Sequence, residues 1–188
     1  MVLDKEISAA LEVLINGGII LYPTDTVWGI GCDASNSSAV EKIYQLKRRA
    51  ESKTMICLVA NDAMLERHVD QVPDLAYDII DLAEKPVTII YDDPKGIASS
   101  LISEDNSLAI RVSSDKFCKT LIQKLKRPLV STSANLAGES TPRSFDEIDQ
   151  HILKGVDYVV NLNHKRENAR PSSIIKLGKD GSVKVIRK

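Results

Sequence analysis

Hydroxyl and amide side chains follow two strongly apolar runs of this chain, directly after each run ends. Residues 24–26, Thr-Asp-Thr, come after the apolar segment 19–22, and residues 131–135, Ser-Thr-Ser-Ala-Asn, come after Leu129-Val130. In open α/β sheets ligands bind beyond the carboxyl ends of the strands, and hydroxyls and backbone amides at such turns can hold phosphate, ribose or amino-acid groups. The two segments therefore predict a ligand site, although each taken alone also fits an ordinary hydrogen-bonded turn.

A cluster of cations is the second chemical signal. Lys47, Arg48, Arg49 and Lys53 lie within seven residues, at the end of a predicted helix. One interpretation is that these charges complement the negative end of the helix and stay solvated. In the other, Lys47 and Arg49 converge on a polyanion, because lysine offers a point charge and arginine a bidentate fork to phosphate oxygens.

Arg111 lies inside the otherwise apolar segment 107–112. An unpaired charge in such a strand is costly, so we expect Arg111 to meet an anion, either a ligand or a structural carboxylate. A further hydroxyl pair, Ser172-Ser173, immediately precedes the apolar pair Ile174-Ile175. Together, the separated cations and the polar groups beside strands favour one site for an anionic ligand.

The spacing of apolar residues predicts the elements that position these groups. Helices are expected at 4–16, from Ser37 or Ser38 to about 49, and at 62–68, 74–84, 115–125 and 144–153. Strands are expected at 18–22, 55–59, 87–91, 108–112, 128–131, 157–160, 173–177 and 183–187. Because helices and strands alternate, the sequence predicts a layered α/β sheet, and we expect residues 1–188 to form a single domain. Two polar irregular segments, 92–107 and 161–172, are long enough to be lids or binding loops.

Composition argues against several classes of protein. The 188 residues are 43% hydrophobic with a formal charge of -1, which suits a packed core and disfavours a surface that coats nucleic acid, although a local basic cleft is compatible with it. The amino terminus does not read as a signal peptide, and no apolar run approaches the roughly 18 to 20 residues that span a membrane, so we expect a cytoplasmic protein. The three distant cysteines predict buried thiols, and the chain has no Gly-x-x-x-x-Gly-Lys-Ser/Thr, Gly-x-Gly-x-x-Gly or His-Glu-x-x-His pattern.

Five ordered motifs resemble those of one known family. They are residues 22–31 (Tyr-Pro-Thr-Asp-Thr-Val-Trp-Gly-Ile-Gly), Lys47-x-Arg49, Ser107-x-x-x-Arg111, 131–135 and 171–175 (Pro-Ser-Ser-Ile-Ile). In order and spacing, the chain resembles the YrdC-like domain of threonylcarbamoyl-AMP synthases over nearly its whole length. Residues 133–135 keep the Ser-x-Asn pattern from which a sister group without established synthase activity usually departs, so the resemblance favours the synthase.

The resemblance implies a fold and a reaction. The fold would be an α/β domain in which a twisted mixed β-sheet, flanked by helices, surrounds a deep basic cavity. The enzyme would be a nucleotidyltransferase that makes threonylcarbamoyl-AMP and pyrophosphate from L-threonine, bicarbonate and ATP, for the modification of adenosine 37 in tRNA. Mg²⁺ would accompany the ATP without a dedicated protein site. As a short form, the chain would rely on separate proteins for transfer to tRNA, and direct contact with tRNA is a further expectation.

The family's pattern also implies roles for individual residues. Lys47 and Arg49 would be catalytic and would hold the triphosphate and the carbamate. Threonine and its carboxylate would be framed by Thr24, Arg111, Ser131 and Ser172. The nucleotide side would be lined by Ser133, Asn135 and Thr141, with Ser107 close to the phosphates.

The chain departs from the family at two turns, and two other functions stay open. Arg49 is followed by Ala50 and by Glu-Ser-Lys-Thr at 51–54, where family members often have prolines, and Glu-Lys-Pro at 84–86 replaces a Pro-Gly-Pro turn. The first alternative is a non-catalytic RNA-binding module of the same fold, for which the few aromatic residues argue only against base stacking. The second is a related carbamoyl-adenylating enzyme with another amine substrate, which a comparison of amino acids would distinguish.

Overall fold

The computed structural model describes residues 2–50, 55–162 and 170–188, and within these residues nine strands form one mixed sheet. The strands are β1 (Ile20–Tyr22), β2 (Gly29–Gly31), β3 (Ile56–Val59), β4 (Val87–Asp92), β5 (Ser107–Val112), β6 (Leu129–Ser133), β7 (Tyr158–Val159), β8 (Ser173–Leu177) and β9 (Val183–Arg187). Their order across the sheet is β7-β1-β2-β6-β3-β5-β4-β8-β9. The pairs β1–β7, β3–β5 and β4–β8 are parallel and the other five are antiparallel.

Helices flank this sheet. They are α1 (Val2–Ile15), α2 (Ser37–Lys47), α3 (Asp62–His68), α4 (Asp74–Leu82), α5 (Lys116–Leu125) and α6 (Gln150–Gly155), with short 3-10 helices at Ser99–Leu101 and Phe145–Glu147. Side chains cap the starts of α2, α3 and α5, where Asn36, Asn61 and Asp115 each accept a hydrogen bond from the backbone N–H three residues later. The α/β class, with a mixed sheet flanked by helices, is confirmed.

Most predicted elements appear close to their expected bounds, and the differences have local causes. The strand β2 was not predicted, because Gly-Ile-Gly is too short and too rich in glycine to show an alternating pattern. The cap of α2 is Asn36 and not Ser37 or Ser38. The expected helix 144–153 is split, because the Asp149 carboxylate accepts from the His151 N–H at 2.6 Å and starts a new helix at residue 150.

The two segments expected to be loops lie in different places. Segment 92–107 contains one 3-10 turn and joins the end of β4 to the start of β5. It therefore lies at the end of the sheet opposite to Arg111. Of segment 161–172, residues 163–169 lie outside the described part of the chain, as do Lys53 and its neighbours 51, 52 and 54. Across the described residues, no helix combines the length and the apolarity needed to cross a membrane.

The core covers both faces of the sheet around β1 and β2, where every strand residue is buried. All three cysteines are buried free thiols, as predicted, and burial raises the pKa of the Cys57 thiol to about 12. The opposite edge strand β9 is exposed at all five positions. The polar residues that follow β1 therefore emerge from the most deeply buried part of the sheet, and β2 pairs with Thr132 and Ser133 at the end of β6.

Gly31 brings β2 and β6 together by its lack of a side chain. A Cβ at this position would lie 2.4 Å from the Val130 carbonyl oxygen and 2.7 Å from Cε1 of Tyr22, whose hydroxyl donates to the same carbonyl at 3.1 Å. Neither neighbour is the end of a flexible side chain, so the strands would have to separate.

We predict that Gly31→Ala lowers the free energy of unfolding by about 1–3 kcal/mol, the usual cost of overpacking a core. Gly29→Ala in the same strand is the matched control, because its Cβ would meet nothing closer than 3.3 Å and should cost less. Urea unfolding of both variants measures the difference. Equal stability of Gly31→Ala and the parent would contradict this account of the strand contact.

Candidate functional site

A cavity of about 220 Å³ opens where the turn after β1 meets the ends of β5 and β6 and the start of β8. Its walls are rich in guanidinium and hydroxyl groups. Three arginines line it, Arg49, Arg111 and Arg187, together with six hydroxyl side chains, Thr26, Ser131, Thr132, Ser133, Thr141 and Ser172. Such groups can hold an anionic ligand by charge-assisted hydrogen bonds.

Arg111 meets a protein carboxylate inside the sheet. Its Nη2 lies 2.9 Å from Asp25 Oδ1, and the two side chains are 2% and 12% exposed. Its Nη1 donates to the Thr26 hydroxyl at 3.3 Å, while Nε finds no hydrogen-bond partner among the described residues. The structural carboxylate that was one of the two expected anions is therefore present, and Arg111 still borders the cavity.

The turn that carries Asp25 is held by its own hydroxyls. The Thr24 hydroxyl accepts from the Thr26 backbone N–H at 3.0 Å and donates to the Val27 carbonyl at 2.8 Å. Thr24 is buried and is absent from the cavity wall, where Thr26 stands instead. Thr24 thus shapes the turn, and Thr26, two residues later, faces the cavity.

Lys47 is buried and bonded to the backbone of the segment after β6. Its Nζ donates to the Asn135 carbonyl oxygen at 2.5 Å and to the Ser133 carbonyl oxygen, and its own carbonyl accepts from the Ala137 N–H at 2.9 Å. Burial first, and the charge of Arg49 second, lower the pKa of Lys47 from 10.5 to about 7. Arg49 lines the cavity and Lys47 does not, so Lys47 supports the wall from behind.

The remaining nucleotide-side residues divide between the cavity and its surroundings. Ser133 and Thr141 line the cavity, whereas the Asn135 amide donates to the carbonyls of Leu136 and Glu139, each at 2.9 Å. Asn135 therefore organises the loop that follows β6.

Ser107 lies away from the cavity. Its hydroxyl donates to Asp105 Oδ1 at 2.6 Å and lies 2.9 Å from the Ser103 hydroxyl. It begins β5, four residues before Arg111, and that spacing along a strand is about 13 Å. The structure thus does not bring Ser107 together with the other predicted residues, because opposite ends of one strand face opposite ends of the sheet.

Arg187 belongs to the cavity although sequence reasoning did not select it. Its Nε donates to the Ser172 carbonyl at 2.9 Å, and partial burial of the guanidinium in the cavity wall, followed by the nearby Arg111, lowers its pKa, although the residue as a whole is exposed. The available signal was a cation at the end of a predicted strand, whereas Arg111 was identified as a cation inside an apolar strand. That signal is weak, because residues 183–187 (Val-Lys-Val-Ile-Arg) already carry a second cation, Lys184, as exposed edge strands often do.

Comparison with known proteins identifies the family. The Sua5/YciO/YrdC family, described as telomere recombination, matches residues 12–188. The chain belongs to this family. A Pseudoalteromonas translucida member named threonylcarbamoyl-AMP synthase is 34% identical over 174 residues, which cover 91% of this chain and 92% of that protein. A Methanocaldococcus jannaschii protein that carries the same name provisionally is 36% identical over 187 residues, covering 97% and 87%.

Solved structures share the family fold. One structure of P. abyssi Sua5 superposes with a TM-score of 0.86 at 22% identity and covers 96% of this chain and 55% of that one. A second, described as complexed with L-threonine, gives a TM-score of 0.80 at 21% identity and covers 91% and 50%. The chain thus spans about half the length of P. abyssi Sua5. Within residues 2–50, 55–162 and 170–188, no group of three or more His, Cys, Asp or Glu side chains is arranged to hold a metal ion.

We predict that Asp25→Asn lowers the free energy of unfolding by about 3–5 kcal/mol, because it leaves the buried Arg111 charge uncompensated. Asp70→Asn is the matched control, since Asp70 pairs with Lys95 at 3.3 Å but both side chains are about half exposed or more, at 63% and 49%. That exposed pair should contribute less than about 1 kcal/mol. Denaturant unfolding of both variants measures the two losses of unfolding free energy. Similar small losses would show that the fold does not require the Asp25 charge.

The lowered pKa of Lys47 gives a pH dependence with a defined sign. Between about pH 7 and pH 10.5 the unfolded chain binds a proton at Lys47 that the folded protein releases, so this group adds stability as pH rises. The unfolding free energy of the parent relative to Lys47→Met should therefore increase between about pH 7 and pH 9, by at most about 1.4 kcal/mol per pH unit. Urea unfolding at constant ionic strength measures it, and a flat difference would contradict the low pKa.

Proposed function

We propose that this protein is an L-threonylcarbamoyladenylate synthase, which forms threonylcarbamoyl-AMP and pyrophosphate from L-threonine, bicarbonate and ATP for the modification of position 37 of tRNA. The observation that carries the proposal is the meeting of Arg49, Arg111, Ser131, Ser133, Thr141 and Ser172 in one cavity. All of these residues except Thr141 come from four separate motifs of the chain. The names of the curated relatives, which match nearly the whole chain at 34% and 36% identity, support the same activity.

The reaction needs no protein nucleophile. The threonine amine combines with bicarbonate to give a carbamate and water, and a carbamate oxygen then attacks the α-phosphate of ATP, so that pyrophosphate leaves. The protein's contribution is to position two anions against each other and to stabilise the charge that develops at the phosphate. Arginine forks and hydroxyl donors fixed in a cavity suit that task.

The size of the cavity suggests how the substrates divide it. A volume of about 220 Å³ lies below the usual range of sites for drug-sized ligands. We therefore propose that the cavity receives threonine and its carbamate between Arg111, Ser131 and Ser172. The nucleotide would extend from there past Ser133 and Thr141, with its phosphates at Arg49. Mg²⁺ would bind together with ATP, coordinated mainly by the phosphates and water, so that no dedicated protein site for the ion is needed.

The further expectations concern the protein's surroundings. Separate proteins would transfer the threonylcarbamoyl group to tRNA, and the reaction would take place in the cytoplasm. We propose these as consequences of the synthase activity.

The deciding experiment is pyrophosphate release from ATP with bicarbonate and Mg²⁺, compared among L-threonine, L-serine and no amino acid. Threonine-dependent release, with a product of the mass of threonylcarbamoyl adenylate, is the expected result. Release with a different amine would favour the related carbamoyl-adenylating enzyme. RNA binding that weakens with salt, without ATP turnover, would favour the non-catalytic RNA-binding module.

We predict that Arg49→Ala lowers the rate of pyrophosphate release by about a hundredfold or more, as expected when a charge-stabilising donor is removed. Arg48→Ala is the matched control, because Arg48 is the adjacent cation, is exposed and does not line the cavity. Arg48→Ala should retain a rate close to that of the parent. Equal losses in the two variants would remove the specific assignment of Arg49.

A further inference from the structure

We propose that Thr88 is a positioning residue that prepares the Ser172 hydroxyl to donate a hydrogen bond to the carboxylate of the amino-acid substrate. This inference rests on the proposed function and adds a residue that does not itself line the cavity. Thr88 lies in β4, is fully buried, and belongs to none of the five motifs described above.

The register of the sheet places Thr88 beneath the cavity. In the antiparallel pair β4–β5, Ile89 stands opposite Ile110, so one further step places Thr88 opposite Arg111. In the parallel pair β4–β8, Thr88 stands opposite Ile174, and Ser172 lies two residues earlier on the same face. Arg111, Ile174 and Ser172 all line the cavity. Thr88 therefore lies between cavity-lining residues of β5 and β8, just below the cavity surface.

The Thr88 side chain has one hydrogen-bond partner among the described residues. Its hydroxyl oxygen lies 2.8 Å from that of Ser172, and both groups are buried. Within β4 a valine would have nearly the same shape as threonine and would avoid the cost of burying a hydroxyl. The polar atom is therefore explained by its contact with Ser172 and not by packing.

The hydrogen-bonding capacity of the Ser172 hydroxyl indicates which of the two hydroxyls donates in the Thr88–Ser172 contact. A hydroxyl donates one hydrogen bond and accepts two. Arg187 Nη2 donates towards the Ser172 hydroxyl oxygen at 3.5 Å, and guanidinium groups can only donate. If Thr88 also donates to that oxygen, both acceptor positions of Ser172 are filled and its own proton points to the cavity. An anionic oxygen in the cavity is the ligand that this arrangement favours, and Arg111 beside it adds a matching positive charge.

The test compares Thr88→Val, which keeps the shape, with Thr88→Ser, which keeps the hydroxyl, by calorimetric titration with L-threonine. Thr88→Val should weaken threonine binding about five- to tenfold, the effect of one ordinary hydrogen bond, while Thr88→Ser stays near the parent. In a Ser172→Ala background, Thr88→Val should have little further effect, because the group it acts through is gone. The KM for ATP should stay constant in all these variants.

Thermal unfolding is measured in parallel, and Thr88→Ala replaces Thr88→Val if the valine variant does not fold. An equal loss of affinity from Thr88→Val with and without Ser172, or no loss at all, would overturn the proposal. The readout also separates this inference from the proposed function. Threonine binding without threonine-dependent pyrophosphate release would overturn the synthase and leave the Thr88 comparison decisive, whereas a parent protein that does not bind threonine would overturn both.

Discussion

A guanidinium group lies inside an apolar strand of this protein and needs a counter-charge. The position of the turn after β1 and one wall of the cavity depend on that requirement. Arg111 is 2% exposed in β5, between β3 and β4, and Asp25 reaches it from the turn after β1. The pair brings that turn to the end of β5, and β2 follows the turn and pairs with β6. The same guanidinium borders the cavity, so the charge balance of the core and the shape of the ligand site depend on one ion pair.

Two parts of the cavity wall are held by residues that do not themselves line the cavity. The Thr24 hydroxyl fixes the turn that presents Thr26, and the buried Lys47 binds the carbonyl of Ser133. Such supporting contacts keep side chains and backbone donors in place before a ligand arrives, which lowers the reorganisation needed during a reaction. They also explain why two residues that the family's pattern selects, Thr24 and Lys47, are absent from the wall itself.

Local patterns were enough to predict most elements, because apolar periodicity is a local property. The segments 62–68, 173–177 and 183–187 were predicted with the bounds that the structure has. What depends on pairing between distant segments was not accessible. The order of the strands decides which of them meet at the cavity, and no short segment of the sequence reveals that order.

For the candidate site, the sequence predicted the chemical character of the residues better than it predicted their positions relative to one another. Arg111 was expected to meet an anion, and the structural carboxylate is observed, whereas its contact with an anionic ligand stays a prediction for a side chain that borders the cavity. Thr88 was missed because its contact with Ser172 arises only when β4 and β8 pair, and the place of Arg187 in the cavity likewise depends on the pairing of β8 with β9. The roles assigned to individual residues through the resemblance remain predictions that kinetics must test.

The residues that line the cavity are far apart in the sequence, and this affects how the protein folds. The lining residues run from position 26 to position 187, and β1 pairs with β7 near the other end of the chain. Contacts between such distant segments form slowly, since long loops must close before the pairing stabilises them. A chain still emerging from the ribosome therefore lacks the cavity until its last strands are made. By the same reasoning, any small molecule that occupies the cavity binds only the fully folded chain and shifts the equilibrium of the whole protein towards the native state.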